Sequence, residues 1–333
     1  MTIIKTIPGN ANFHLFEQLP PLLYAKDSIR LQQNDSLNKG LLHQAYVVVE
    51  NNVVKARAAL YNNPHLIYNS KKATCIGNYE CVDDHKIAAV LLTTIQQDAK
   101  ALGAAYLIGP MNSSTWDDYR FGIDYNYPTF FTEPQHQLYY NDHFRSSGFS
   151  AIANYISGIS DCTNYQTTDP ETIRRLTENG VRVRLVNIDD FENELEKLYR
   201  FCSIAFKNNF LYTPITPERF KEKYLQAKQI IDPDFFRIAE DGDGNIIGFI
   251  FCLNDLYNTS EKNLIIKTIA RLPGDKWKGL TTLTADMVYT AARDKGYRHV
   301  LHAFMHQKNA SVNVSKKFGG EVVRNYVLYG LNL

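Results

Sequence analysis

Residues 271–296 read RLPGDKWKGLTTLTADMVYTAARDKG. A basic loop carrying Gly274 and Gly279 enters an amphipathic run that stops at Gly296, the pattern of a helix whose last turn is closed by glycine. Backbone N–H groups at such a helix start have no intrahelical partner, so a glycine among lysines there is either a phosphate site or a solvated turn. The surroundings decide between them. Upstream, FFRIAEDGDGNIIGFIF (235–251) reads as two strands about a polar turn, and downstream RHVLHAFM (298–305) reads as another strand.

The same order occurs earlier in the chain. AYVVVENNVVKARAALY (45–61) is a hairpin about Asn51-Asn52, and its Val53 precedes Ile246 by 193 positions (246 − 53). VLLTTIQQDAKALG closes at Gly103, again 193 before Gly296, and the strand AAYLIGPM ends at Met111, 194 before Met305. An offset this steady through three elements predicts a duplicated α/β domain. The halves differ after Met111, where the first carries an aromatic insertion, NSSTWDDYRFGIDYNYPTFFTEPQHQLYY. A Thr/Asp/Asn-rich stretch between Ile159 and Arg174 places the boundary, giving residues 1–162 and 163–333. The second half then reads strand, helix, helix, three antiparallel strands, helix, strand, helix, strand. Asp189 and Glu192 suggest a capping box, and Thr216 with Pro217 a second helix start.

Composition narrows the class of protein. With 44% hydrophobic and 21% charged residues, the 333-residue chain can build real cores. A net charge of +1 supplies no global field for nucleic acid or an anionic membrane. No apolar run approaches a membrane span and no secretory pattern opens the sequence, so a cytoplasmic protein is expected. Five scattered cysteines without a C-x-x-C pair predict reduced, buried thiols.

The element order, with a basic glycine loop between the fourth strand and the next helix, resembles the GNAT superfamily of acyl-CoA N-acyltransferases. Its loop, Gln/Arg-x-x-Gly-x-Gly/Ala, matches Lys276-Trp277-Lys278-Gly279-Leu280-Thr281 here, with lysine for Gln/Arg and Thr281 for the last small residue. NASVNVSKKFGG (309–320) is similar to the family's Asn-x-x-Ser/Ala-x-x-Leu-Tyr-x-Lys-x-Gly segment, with Asn309 one place late, Ser311 in register, and Ser315 where relatives carry a tyrosine acid. FEQLPPLLYAKDSIRL, YECVDDHKIAAVLL, GPMNSSTWDDYRFGI and AFKNNFLYTPITPERF further resemble a bacterial family of tandem GNAT proteins.

The resemblance implies two tandem GNAT-like domains of α/β (α+β) class, each a mixed, mostly antiparallel sheet flanked by helices. It implies acetyl-CoA or a longer acyl-CoA as cofactor, and a small-molecule or peptide amine as acceptor attacking the thioester directly. Backbone groups of Ile269, Ala270 and Arg271 would face the developing oxyanion, and the Lys276 to Thr281 loop would hold the pyrophosphate. Ser315 occupies the position of the acid, but a serine hydroxyl is a poor proton donor, which leaves Tyr326, Tyr329 or water as candidates; Tyr212 is the candidate acceptor contact, with a water on Asp255 or Glu261 as base. VDDHKIA, which replaces the loop in the first half, places Asp83 and Asp84 where they would repel a pyrophosphate, so CoA is expected in the second half alone. No metal, nucleic acid or membrane partner is expected, and a homodimer is compatible with the pattern. A non-catalytic CoA-binding protein and a Fem-like aminoacyl-tRNA-dependent ligase are the alternative classes.

Overall fold

The computed structural model describes residues 1–33, 37–163, 165 and 167–333. The first half runs β1 (Thr2–Thr6), α1 (Phe13–Leu23), α2 (Ile29–Gln32), β2 (Leu42–Glu50), β3 (Val53–Tyr61), β4 (Ile67–Tyr68), β5 (Lys71–Cys81), α3 (His85–Ala101), β6 (Tyr106–Gly109), β7 (Phe121–Gly122), α4 (Tyr140–Ser146) and β8 (Ser150–Asp161). The second runs α5 (Pro170–Glu178), β9 (Arg182–Leu185), α6 (Phe191–Ala205), α7 (Pro217–Leu225), β10 (Phe236–Glu240), β11 (Ile246–Asn254), β12 (Asn263–Arg271), α8 (Leu280–Asp294), β13 (His299–His306), α9 (Ser311–Lys317) and β14 (Glu321–Asn332). The helix and strand order expected for the second half is present, with α5 as an addition before it.

Local chemistry sets the boundaries. Asn51 and Asn52 take positive φ of 50° and 61°, the turn that matches the twist of a two-residue hairpin. Asp84 caps α3 by accepting hydrogen bonds from the Lys86 and Ile87 amides, a contribution of about 1 kcal/mol. Thr216 caps α7, with Pro217 as its first residue. The box expected at Asp189 and Glu192 does not form: α6 begins after Asp190, whose carboxylate instead accepts from the Asn193 side chain. Asp241 accepts from the Asp243 and Asn245 amides, which makes EDGDGN a hairpin turn.

The strands form one sheet in the order β1-β2-β3-β5-β6-β14-β8-β13-β12-β11-β10-β9, with β4 on β5 and β7 on β14. Each half contributes an antiparallel run followed by one parallel pair, β5 with β6 and β12 with β13. The halves also exchange their last strands. β8 lies against β13, while β14 lies between β6 and β8. A division at residue 162 therefore separates the halves along the chain and not across the sheet. All five cysteines are free and buried.

Candidate active site

The site begins where two parallel strands part. β12 and β13 pair from Asn263↔His299 to Ile266↔His302, and no pairing between them follows among the described residues. β12 continues to Arg271 against β11, with a register shift at Lys267. β13 continues to His306 against β8, with a second shift after His302. The gap opens into a cavity of about 550 Å³ reaching Ala285 of α8 and Ser311, Val314 and Ser315 of α9.

The matching place in the first half is closed. Beyond the β5–β6 pairs, the Met111 amide donates to the Ile76 carbonyl at 2.8 Å and the Asn78 amide donates to Asn112 Oδ1 at 2.8 Å. A Cβ at Gly77 would stand 2.3 Å from Asn112 Oδ1, and one at Gly109 would stand 2.4 Å from Ile76. Glycine at both positions lets these strands stay together where β12 and β13 separate. Glu80 of β5 is further held by the buried Arg30 guanidinium at 2.6 Å and by the Tyr24 and Tyr140 hydroxyls.

The aromatic insertion of the first half supplies one wall of the second half's cavity. Trp116 donates to the Thr213 carbonyl and packs on Phe206, Tyr212 and Phe220, so it both fills the junction and covers the cavity. Asp117, on the same wall, is held by Arg219 at 3.2 Å and Lys223 at 3.5 Å. Asp118 takes no side-chain hydrogen bond or ion pair from the described residues. Asp118 is exposed on the cavity wall, and the protein packed around it raises its pKa against the opposing effect of Lys267 and Lys223.

Lys267 stands across the gap. Its ammonium touches Thr132 Oγ1 at 3.4 Å and lies 4.7 Å from the Phe304 ring. Burial pulls its pKa down to about 8, with Asp118 opposing and Arg120 and Lys223 adding to the fall. Arg120 lies over the Tyr119, Tyr155 and Phe304 rings at 3.8, 4.7 and 4.8 Å. Arg120, Thr132 and Phe304 all hold positive φ, 77°, 71° and 57°. Each such residue costs about 1–3 kcal/mol and persists where surrounding structure over-determines it.

At the other end of the gap lies the basic loop. Asp275–Trp277 form a 3-10 turn, and Gly279 takes φ 88° as the N-cap of α8 without a side-chain cap among the described residues. α5 lies along one side of the loop. Arg175 donates to the Lys276 carbonyl at 3.2 Å and to the Lys278 carbonyl, and Thr172 meets Gly279 so closely that a Cβ there would be 2.5 Å away. Because the C=O and N–H of a trans peptide point in opposite directions, the Trp277 and Gly279 amides face away from α5. Lys276 and Lys278 are exposed beside them.

The residues expected from sequence fall into two groups. Ile269, Asn309, Ser311, Ser315 and Tyr212 line the cavity; Ala270, Arg271, the Lys276 to Thr281 loop and Tyr326 do not. The Leu272 amide donates to Ile247 of β11, so strand alternation turns the Ile269 and Arg271 amides to the open edge and that of Ala270 into the sheet. Trp277 is buried among Leu176, Ala239, Ile247 and Leu280, which makes its ring part of the core under the loop. Leu280 is buried there as well.

Tyr326 donates its hydroxyl to Glu133 at 2.6 Å, and that of Tyr329 goes to Asn141 at 3.0 Å, so both tyrosines belong to the packing between halves. Asp255 accepts from the Phe131 amide, and Glu261 pairs with Arg298 at the paired end of β12, so neither faces the cavity. Among the described residues no group of three or more His, Cys, Asp or Glu could hold a metal, and no helix is long and apolar enough to cross a membrane. Sequence reasoning missed Lys267, Asp118, Arg120 and His302. The lone charge inside the apolar strand NLIIKTIAR was the available signal for Lys267.

Comparison with known proteins bears on the fold. No protein-family model matches the chain. Protein YghO of Escherichia coli strain K12 is 21% identical over 254 residues, covering 72% of this chain. The match spans 65% of that relative's length, slightly under two thirds. A GCN5-related N-acetyltransferase from Sphaerobacter thermophilus superposes with a TM-score of 0.51 at 14% identity, over 86% of this chain and 79% of that one. One from Anabaena variabilis gives 0.56 at 10% identity, over 99% and 72%. A probable N-acyltransferase from Enterococcus faecalis gives 0.56 at 9% identity, again over 99% and 72%. The chain has the fold of the GCN5-related N-acetyltransferases, carried twice along its length.

Proposed function

We propose that the protein is an acyl-CoA-dependent N-acyltransferase whose cofactor lies in the second half, residues 163–333. The observation carrying this reading is the parting of β12 from β13, which opens a cavity along the strand that leads on to the loop before α8, where Gly279 has no side-chain cap among the described residues. The pantetheine arm of acetyl-CoA or a longer acyl-CoA fits such a gap, and its pyrophosphate meets the amides around Gly279 beside Lys276 and Lys278. The Ile269 and Arg271 amides on the open edge of β12 stabilise a developing oxyanion, each such donor contributing on the order of 3 kcal/mol. The first half acts as a degenerate domain, because its strands stay joined at Gly77 and Gly109.

An amine acceptor enters between the first half's insertion and α6–α7, past Tyr212. Asp118 anchors its ammonium. Lys267, with a pKa of about 8, is neutral in a usable fraction near neutral pH and takes the amine's proton.

Titration calorimetry with acetyl-CoA and with S-acetylpantetheine checks this arrangement. Acetyl-CoA should bind more tightly. Lys278→Ala should weaken acetyl-CoA about three- to tenfold, the size of one solvated phosphate contact, and leave S-acetylpantetheine unchanged. Equal binding of the two ligands, or no heat from either, contradicts the reading.

A further inference from the structure

Ser315 stands where the resemblance places a tyrosine, and the structure gives it a different partner. Its Oγ lies 2.5 Å from His302 Nδ1. The other ring nitrogen, Nε2, lies 2.5 Å from the Tyr289 hydroxyl and 3.3 Å from Ser160 Oγ. The Tyr289 hydroxyl and Ser160 Oγ are themselves hydrogen-bonded, and Ser160 Oγ donates to the Val300 carbonyl at 3.4 Å. All four side chains are buried, yet Ser315 and His302 also line the cavity. Burial lowers the His302 pKa to about 4, so the ring is neutral and carries one N–H.

A carbonyl oxygen only accepts, so in the arrangement that keeps the Val300 contact Ser160 points its hydrogen at Val300 and its oxygen accepts from Tyr289. The Tyr289 oxygen then accepts from His302 Nε2–H, which leaves Nδ1 as an acceptor for the Ser315 hydroxyl. In this arrangement Ser315 points its hydrogen at the histidine, and Ser315 is among the residues that line the cavity. A hydroxyl held this way is arranged as a nucleophile with a base behind it and not as an acid. Gly320 gives the pair room, since a Cβ there would stand 2.2 Å from Ser315 Oγ and 3.0 Å from His302 Nδ1.

We propose that Ser315 and His302 form a nucleophile–base pair and that acyl transfer passes through an ester on Ser315 in place of direct attack by the amine. This rests on the acyl-CoA reading above. Ser315 Oγ attacks the thioester carbonyl carbon while His302 Nδ1 takes the hydroxyl proton. The C–S bond breaks, and the imidazolium hands that proton to the sulfur, so CoA leaves as the free thiol. The acceptor amine, made neutral by Lys267, then attacks the ester carbonyl. The C–O bond breaks, a proton from the attacking nitrogen returns to Ser315 Oγ through His302, and the amide departs. The buried site disfavours the imidazolium, which makes it a strong donor to the thiolate and supplies the proton that a tyrosine provides in relatives.

The test is to incubate the full chain with acetyl-CoA without acceptor, and separately with p-nitrophenyl acetate, a donor that needs no CoA site. Intact mass and peptide mapping then locate any adduct. The expected result is one acetyl group on the Ser315 peptide with a stoichiometric burst of thiol or nitrophenolate. Ser315→Ala should abolish both, His302→Gln should slow the burst by about a hundredfold or more, and Ser315→Cys should restore an acyl adduct as a thioester. Acetylation of Ser315 by p-nitrophenyl acetate without acetyl-CoA binding supports the pair and sinks the acyl-CoA reading. Bound acetyl-CoA with no ester from either donor, or an adduct confined to Lys267, overturns the proposal.

Discussion

Replacing Glu133 by glutamine should lower the folding free energy by about 3–5 kcal/mol, the range for removing one partner of a buried ion pair. Glu133, in the first half's insertion, meets Arg324 of β14 through two parallel bonds of 2.8 and 3.0 Å. Both residues are 1% exposed. The Tyr326 hydroxyl adds a third bond to the same carboxylate, and Arg324 also donates to the Asp124 carbonyl at 2.6 Å. Glutamine keeps the shape and removes the charge, so the buried guanidinium keeps only the Asp124 carboxylate, 4.0 Å away, as a counterion. Burial raises the Glu133 pKa despite these donors, while the Glu133 carboxylate raises that of Arg324 against its own burial. Urea denaturation of the two chains measures the effect. A loss below 1 kcal/mol would mean that water reaches Arg324 when the insertion shifts. Because this pair joins the insertion to an exchanged strand, the same variant should also loosen the cavity wall that carries Asp118.

Lys267→Met should have the opposite sign. Below pH 8 the lysine is charged in both folded and unfolded chains, and the cost of burying that charge is fully present. Between about 8 and its ordinary 10.5 the folded state gives up the proton while the unfolded state keeps it, so the wild type gains stability as pH rises. Above 10.5 both states are neutral and the cost is gone. The variant should therefore be more stable by on the order of 3 kcal/mol at pH 7, with the advantage vanishing by pH 10.5. Denaturation curves at the two pH values decide this, and a difference that does not change with pH would place the ammonium in water. A residue that costs stability and sits where a reaction is proposed fits the trade between stability and activity.

Much of the fold was legible because it rests on local chemistry. Gly103 and Gly296 end their helices at φ 73° and 75°, and the Asn51-Asn52 turn and the 193-residue offset survive in the strands as built. The exchange of β8 and β14 was hidden, since both are twelve-residue strands of similar alternation and either could pair with β6 or β13. The loop was found by its glycine and lysines, whereas the burial of the Trp277 ring against Leu176 of α5 could not be read from the loop alone. Ser315 was recognised by its place in a motif. Its partner His302 could not be, since the two meet only when α9 folds back over β13. Asp118 and Lys267 come from opposite halves, and no spacing rule relates them.

The most direct test is the electron density of a crystal of the full chain grown with acetyl-CoA. The expected density runs between Lys267–Ile269 and the His302–Met305 stretch, with the pyrophosphate at Gly279 and the thioester beside Ser315. Density for the cofactor between β5 and β6, or a well-diffracting crystal from saturating ligand with the β12–β13 gap empty, would contradict it.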